Sequence, residues 1–200
     1  MLEIDRIVDH HCHGVITADL ERPEYEALMA EAHLPAPKGC SQFDKPLGLL
    51  IRRHCAPLLD LEPHATAPDY VARRLELGGQ EASRRLMRAT GMSELLIDTG
   101  HRSDSILDVP QMAEITNCVT REVPRIEAIM EQAAKQASSA TELVDTFDAL
   151  LQVHSKDAIG LKSIVAYRVT FDIDQTDPNR EDVVQAAGNW LADHQANGWS

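Results

Sequence analysis

Four short apolar runs, at residues 6–14, 94–100, 119–126 and 158–168, each break off at polar side chains, and helical patterns fill the chain between them. Strands that alternate with helices, with no hairpin signal to join neighbouring strands, make an α/β protein with a parallel sheet. Two architectures fit that order. A doubly wound sheet normally carries a glycine-rich phosphate loop after a strand, and neither G-x-G-x-x-G nor a P-loop occurs here. A (β/α)-barrel instead gathers functional side chains at the C-terminal ends of several strands, where His11, His13, Asp98, His101, Glu127 and Arg168 fall. The barrel is therefore the expected fold. A complete one needs eight repeats and typically about 250 residues, whereas the 200 residues here supply four strand candidates and stop after a helix. The expectation is an N-terminal half of a (β/α)8 TIM barrel, with residues 1–200 forming part of a single domain that breaks off before strand 5.

The first run, Arg6-Ile7-Val8-Asp9-His10-His11-Cys12-His13-Gly14, is the most informative chemically. Side chains alternate along a strand, so His11 and His13 share one face and Cys12 points away from it. Two imidazoles so placed can grip a single cation. Neutral imidazole suits Zn, Fe, Ni or Mn, and Asp9 is positioned to buttress the pair from behind. The blander alternative is a histidine-rich strand end that serves only as polar punctuation before a loop.

The intervening segments read as helices at 23–32, 46–54, 68–77, 80–90, 110–117, 128–136, 141–154 and 179–195, from the spacing of their apolar residues. Prolines and glycine crowd residues 33–41, which forbids regular structure and places a surface loop just after the histidine-bearing strand. Gly78-Gly79 separates two helices, and Arg84, Arg85 and Arg88 give the second a basic, solvated face.

Charge narrows the partners. A formal net charge of −13, with no dense Lys/Arg run, repels phosphate backbones and anionic lipid heads, so neither nucleic acid nor membrane is expected. No apolar run approaches a bilayer span, and acidic residues Glu3, Asp5 and Asp9 stand where a signal peptide would be basic and apolar. A cytoplasmic setting is the expectation. Cys12, Cys40, Cys55 and Cys118 form no Cys-x-x-Cys pair and are expected to be reduced and structural.

Asp9-His10-His11-Cys12-His13-Gly14 resembles the first-strand signature of the amidohydrolase superfamily of metal-dependent (β/α)8 barrels. Leu96-Ile97-Asp98-Thr99-Gly100, Arg125-Ile126-Glu127 and the run from Gly160 to Arg168 resemble the second, third and fourth strands of the amidohydrolase 2 branch, which includes the amidohydrolase-like half of proteins fused to glutamine synthetase domains. The resemblance implies a mononuclear or binuclear divalent metal site, zinc foremost, with His11 and His13 as ligands. Lys162 takes the place of the fourth-strand lysine that some members carboxylate, and Tyr167 and Arg168 would face a substrate carboxylate. Further histidines and the aspartate that activates water belong to later strands, so the general base is expected beyond residue 200 and this chain would hold half a site. The family continues after Tyr-Arg with a Ser-Gly-like turn, where this chain has Val169-Thr170-Phe171-Asp172.

Each candidate has a plainer reading. Lys162 can end a strand by reaching solvent along its stem, although an unpaired ammonium among Ala158, Ile159, Leu161, Ile164 and Val165 would be costly. Arg168 can pair with Asp172 or Glu127 instead of a substrate; His33, His54, His64 and His154 have no partner spacing, and His194 lies in a helical pattern. The expected activity is hydrolysis of a small amide or carboxylate-bearing substrate by metal-activated water. The alternatives are a lyase such as a decarboxylase, or an isomerase, on the same scaffold, and a non-catalytic module. The last would pair with a complementary barrel half or form a homo-oligomer through its open sheet edges.

Overall fold

In a computed structural model of the protein, residues 6–30 and 37–197 are described. Strands Val8–Cys12 (β1), Glu94–Asp98 (β2) and Val119–Val123 (β3) form a parallel sheet in that order. The middle strand is buried, with Leu95 and Ile97 fully enclosed, as a strand covered on both faces must be.

The helices are Arg22–Leu28 (α1), Pro46–Leu50 (α2), Ala67–Leu77 (α3), Gly79–Arg88 (α4), Val109–Thr116 (α5), Ile126–Gln136 (α6), Ala140–Ser155 (α7), Val165–Arg168 (α8) and Arg180–Asn197 (α9). Their ends follow local chemistry. Thr66 caps α3 by accepting the Asp69 N–H, and Gly78 ends it at a φ of 80°, in the region only glycine occupies freely. Gly79 begins α4, so the break rests on Gly78 alone; a Cβ on Gly79 would lie 2.4 Å from the Thr17 carbonyl oxygen. Asp108 and Gln111 close a reciprocal capping box on α5, and Ser139 caps α7 through the Glu142 N–H. The helix expected over 46–54 is α2 running into a π-type turn at Ile51–Cys55. The helix expected over 23–32 ends at Leu28; its last two residues, residues 33–36 of the proline-rich loop with His33, and the terminal Gly198, Trp199 and Ser200 lie outside the described residues.

The fourth strand is the main departure. Of the strand expected over 158–168, a single parallel bridge remains between Arg125 and Lys162, and Val165–Arg168 winds into a helical turn. Side chains claim the backbone groups a longer ladder would need. Glu127 Oε1 takes the Ile164 N–H at 2.9 Å, and Ser163 Oγ takes the Val165 N–H at 3.1 Å, which turns the chain out of extended geometry. The described residues thus show three strands and one bridge of the four strands expected of a half-barrel.

The chain divides into two compact units. The first takes its described residues from 6–9, 14–95 and 104–120, and its core is Phe43, Ala56, Leu59, Ala67, Tyr70, Val71 and Ala82. The arginine face expected to be solvated is partly tied down here. Glu81 pairs with Arg84 and Arg85, which hold its carboxyl down to about 2, and Arg88 donates to the carbonyls of Glu114 and Ile115 at the end of α5. The second unit comprises 10–13, 96–103 and 121–197, with Ala133, Ala134, Leu143, Val144 and Ala187 buried among α6, α7 and α9. None of the four cysteines is in a disulfide, and among the described residues no helix is long and apolar enough to cross a membrane.

Candidate functional site

All of the strand-end histidines belong to the second unit. On β1, Cys12 turns away from the histidine face as the alternation requires and donates to the Leu96 carbonyl at 3.5 Å. His13 lies one residue past the strand, and its Nδ1 is 3.0 Å from the Asp98 carbonyl oxygen. A carbonyl only accepts, so Nδ1 carries the proton and Nε2 keeps its lone pair. That is the tautomer a metal-ligating histidine needs, fixed by a backbone partner. The support expected from Asp9 falls, at His13, to Asp98.

Asp98, 2% exposed at the end of β2, is the electrostatic centre of the cluster. Burial alone would raise its pKa, but the Arg125 guanidinium at 2.6 Å, the Gly100 N–H at 3.0 Å and nearby His13 outweigh it and hold the carboxyl below its usual range. Gly100 is what lets the turn close, because a Cβ there would sit 2.3 Å from the Arg125 Cβ. The turn delivers His101, whose ring centre lies 4.8 Å from that of His13. Desolvation first, then the charges of His13, Arg125 and Arg102, lower the pKa of His101 and favour its neutral form.

Lys162 meets this group from the other side. Its N–H bonds to the Pro124 carbonyl and its carbonyl accepts from the Ile126 N–H, both at 2.9 Å, and its Nζ is 2.9 Å from His11 Nε2. An ammonium only donates, so His11 also presents an accepting Nε2. Beside it, Glu127 Oε1 receives the Ser163 hydroxyl at 2.6 Å and the Ile164 N–H at 2.9 Å. Two buried atoms here have no hydrogen-bond partner, Arg125 Nε and Glu127 Oε2. Tyr167, 84% exposed, and Arg168, also exposed, ride on the turn of α8 instead of a strand end. His154 is half-buried on α7, and His194 half-buried on α9.

Whether these groups suit a divalent ion can be tested on their geometry. Both imidazoles offer the correct nitrogen, and the lysine converges on one of them. The ring centres of His11 and His13 are 6.1 Å apart at 76°, whereas two imidazoles on one ion, with nitrogens at ~2.1 Å, hold their centres about 5 Å apart. Among the described residues no group of three His, Cys, Asp or Glu side chains is placed to hold an ion. The residues therefore supply two imidazoles wider apart than one ion would hold them, and no third ligand among the described residues completes the set.

The residues underrated by sequence reasoning are Asp98, His101, Arg125 and Glu127. Each lies at or within four residues of a strand end, but spacing alone does not reveal that Asp98 reaches across to His13 and Arg125, or that Glu127 ties down the Lys162 segment.

Comparison with known proteins agrees on the fold. A solved structure described as a putative metal-dependent hydrolase from Lactobacillus casei superposes with a TM-score of 0.65 at 24% identity, over 94% of this chain and 49% of that one. The chain thus spans about half the length of the structure it matches. At that identity the likeness speaks for the fold. No family model and no curated protein matches the sequence.

Proposed function

We propose that the chain is part of a divalent-metal-dependent hydrolase of the amidohydrolase type, acting on a small amide or carboxylate-bearing substrate. One observation carries this reading: His11 and His13 both present an accepting Nε2 at the end of β1, one fixed by the backbone carbonyl of Asp98 and the other met by Lys162. The solved structure it resembles is itself described as metal-dependent, which supports the same reading.

In this reading His11 and His13 hold the ion, zinc foremost with Mn, Fe or Ni as alternatives, and Lys162 would stand third once carboxylated, whereas as an ammonium it only donates to His11. A divalent ion, when bound, supplies Lewis-acid polarisation of a carbonyl. The chain's own residues do the rest. The backbone carbonyl of Asp98 keeps His13 in its ligating tautomer, and Arg125 keeps the Asp98 side chain beside it ionised. Arg168, helped by Tyr167, receives a substrate carboxylate, because a guanidinium presents a planar fork that matches it.

The test is turnover of a panel of small N-acyl amides and small acids by the full-length protein that contains this chain, supplied with Zn²⁺ or Mn²⁺. His11→Ala and His13→Ala should each abolish it, and Arg168→Lys should raise KM for carboxylate-bearing substrates while leaving metal content alone. Full turnover in both histidine variants would end the proposal. Decarboxylation or isomerisation in place of hydrolysis would keep the site and change its chemistry.

A further inference from the structure

Residues 162–164 are held as a strap. At one end Lys162 makes two backbone bonds to the stretch after β3, and at the other a single carboxylate, Glu127 in the first turn of α6, accepts both the Ser163 hydroxyl and the Ile164 N–H. Only Oε1 does this; Oε2 is buried without a partner. A half-satisfied buried carboxylate costs stability and calls for an explanation. A lysine has four side-chain torsions and large rotamer entropy, so keeping Nζ at 2.9 Å from His11 Nε2 requires that its backbone not drift.

We infer that Glu127 is a positioning residue for the Lys162–His11 contact: through Ser163 and Ile164 it fixes the strap from which Lys162 reaches His11. The placement follows from the hydrogen bonds themselves. Its consequence for activity rests on the metal-hydrolase reading, so the test is made on metal-free protein, where failure of that reading leaves it intact.

The measurement is the ring ¹⁵N spectrum of His11, assigned through His11→Gln, at a pH where imidazole is neutral. Lys162→Met removes the donor and should move the Nε2 resonance toward the position of an unbonded imine-type nitrogen. Glu127→Ala should reproduce that displacement in direction and size. Glu127→Gln, whose amide oxygen can still accept both bonds, should stay with the parent. If Glu127→Ala leaves the resonance at the parent position, or if Glu127→Gln moves as far as alanine does, the role is refuted. Should Glu127→Ala fail to fold, Ser163→Ala decides: a partial displacement in the same direction supports the strap, and the parent position overturns it.

Discussion

The two units differ in how completely their buried polar groups are satisfied. In the first, cations are used as cover. Arg74 lies 5.0 Å over the Tyr25 ring, Arg52 donates to the carbonyls of His64 and Ala65, and Arg73 donates to that of Leu59, around a closed aromatic centre of Tyr25, Phe43 and Tyr70. In the second, a buried carboxylate and guanidinium face each other at 2.6 Å, and Arg125 Nε and Glu127 Oε2 remain without partners. Groups that burial leaves unsatisfied cost stability, and they concentrate at functional sites. The contrast is what the proposed site would produce, since its histidines, Asp98 and Lys162 all belong to the second unit.

The largest effect should come from the first unit's core. Phe43→Ala empties a fully enclosed ring position and should cost about 3–5 kcal/mol in denaturant unfolding. A loss under about 1 kcal/mol would show that this core collapses readily and would blur the contrast. In the second unit, Asp98→Ala strands the largely buried Arg125 and should cost a comparable ~3–5 kcal/mol. Asp98→Asn keeps both the shape and the backbone carbonyl that accepts from His13, so it should cost less, about 1–3 kcal/mol, through the weakened pair with Arg125. A loss as large as that of Asp98→Ala would show that the charge of Asp98, and not its shape, holds Arg125 in place.

How much of this was legible beforehand depended on the distance over which the information acts. The caps at Thr66, Asp108 and Ser139 and the apolar helix faces are local, and most helices lie within a few residues of where spacing puts them. The three strand positions were legible for the same reason. The fourth was not. Ala158 to Val165 has strand composition, but Glu127, 37 residues before Ile164, takes the N–H a ladder would use. Likewise His11 and His13 could be chosen from alternation, whereas the Asp98–His13 bond spans 85 positions and the Lys162–His11 contact 151. Pairing of that range is written in the fold, and spacing does not disclose it.

A smaller effect sharpens the same comparison. Ser139→Ala removes the α7 cap in the second unit and should cost ~1 kcal/mol in thermal unfolding, as should Thr66→Ala for α3 in the first. Matching losses would show that ordinary helix chemistry is shared and that the units differ only at the polar cluster.

The smallest effect is in pH. His101 and Asp98 both have folded-state pKa values below their ordinary 6.5 and 3.8, so the unfolded chain binds more protons. Their stabilisation is complete above those ordinary values and is lost as pH falls through the folded ones. Unfolding free energy should therefore decline gently below about pH 6.5, and again below about pH 4.5, where Glu26, Glu81 and Glu142, also held below their ordinary value, join Asp98. His101→Gln should erase the first decline and leave the second.

The central claim is that His11 and His13 hold a divalent ion, and calorimetric titration of Zn²⁺ into the protein and into the His11→Ala/His13→Ala variant tests it most directly. Saturable binding is expected in the parent and none in the variant, with the fold of both intact by circular dichroism. The same isotherm in both proteins would contradict it.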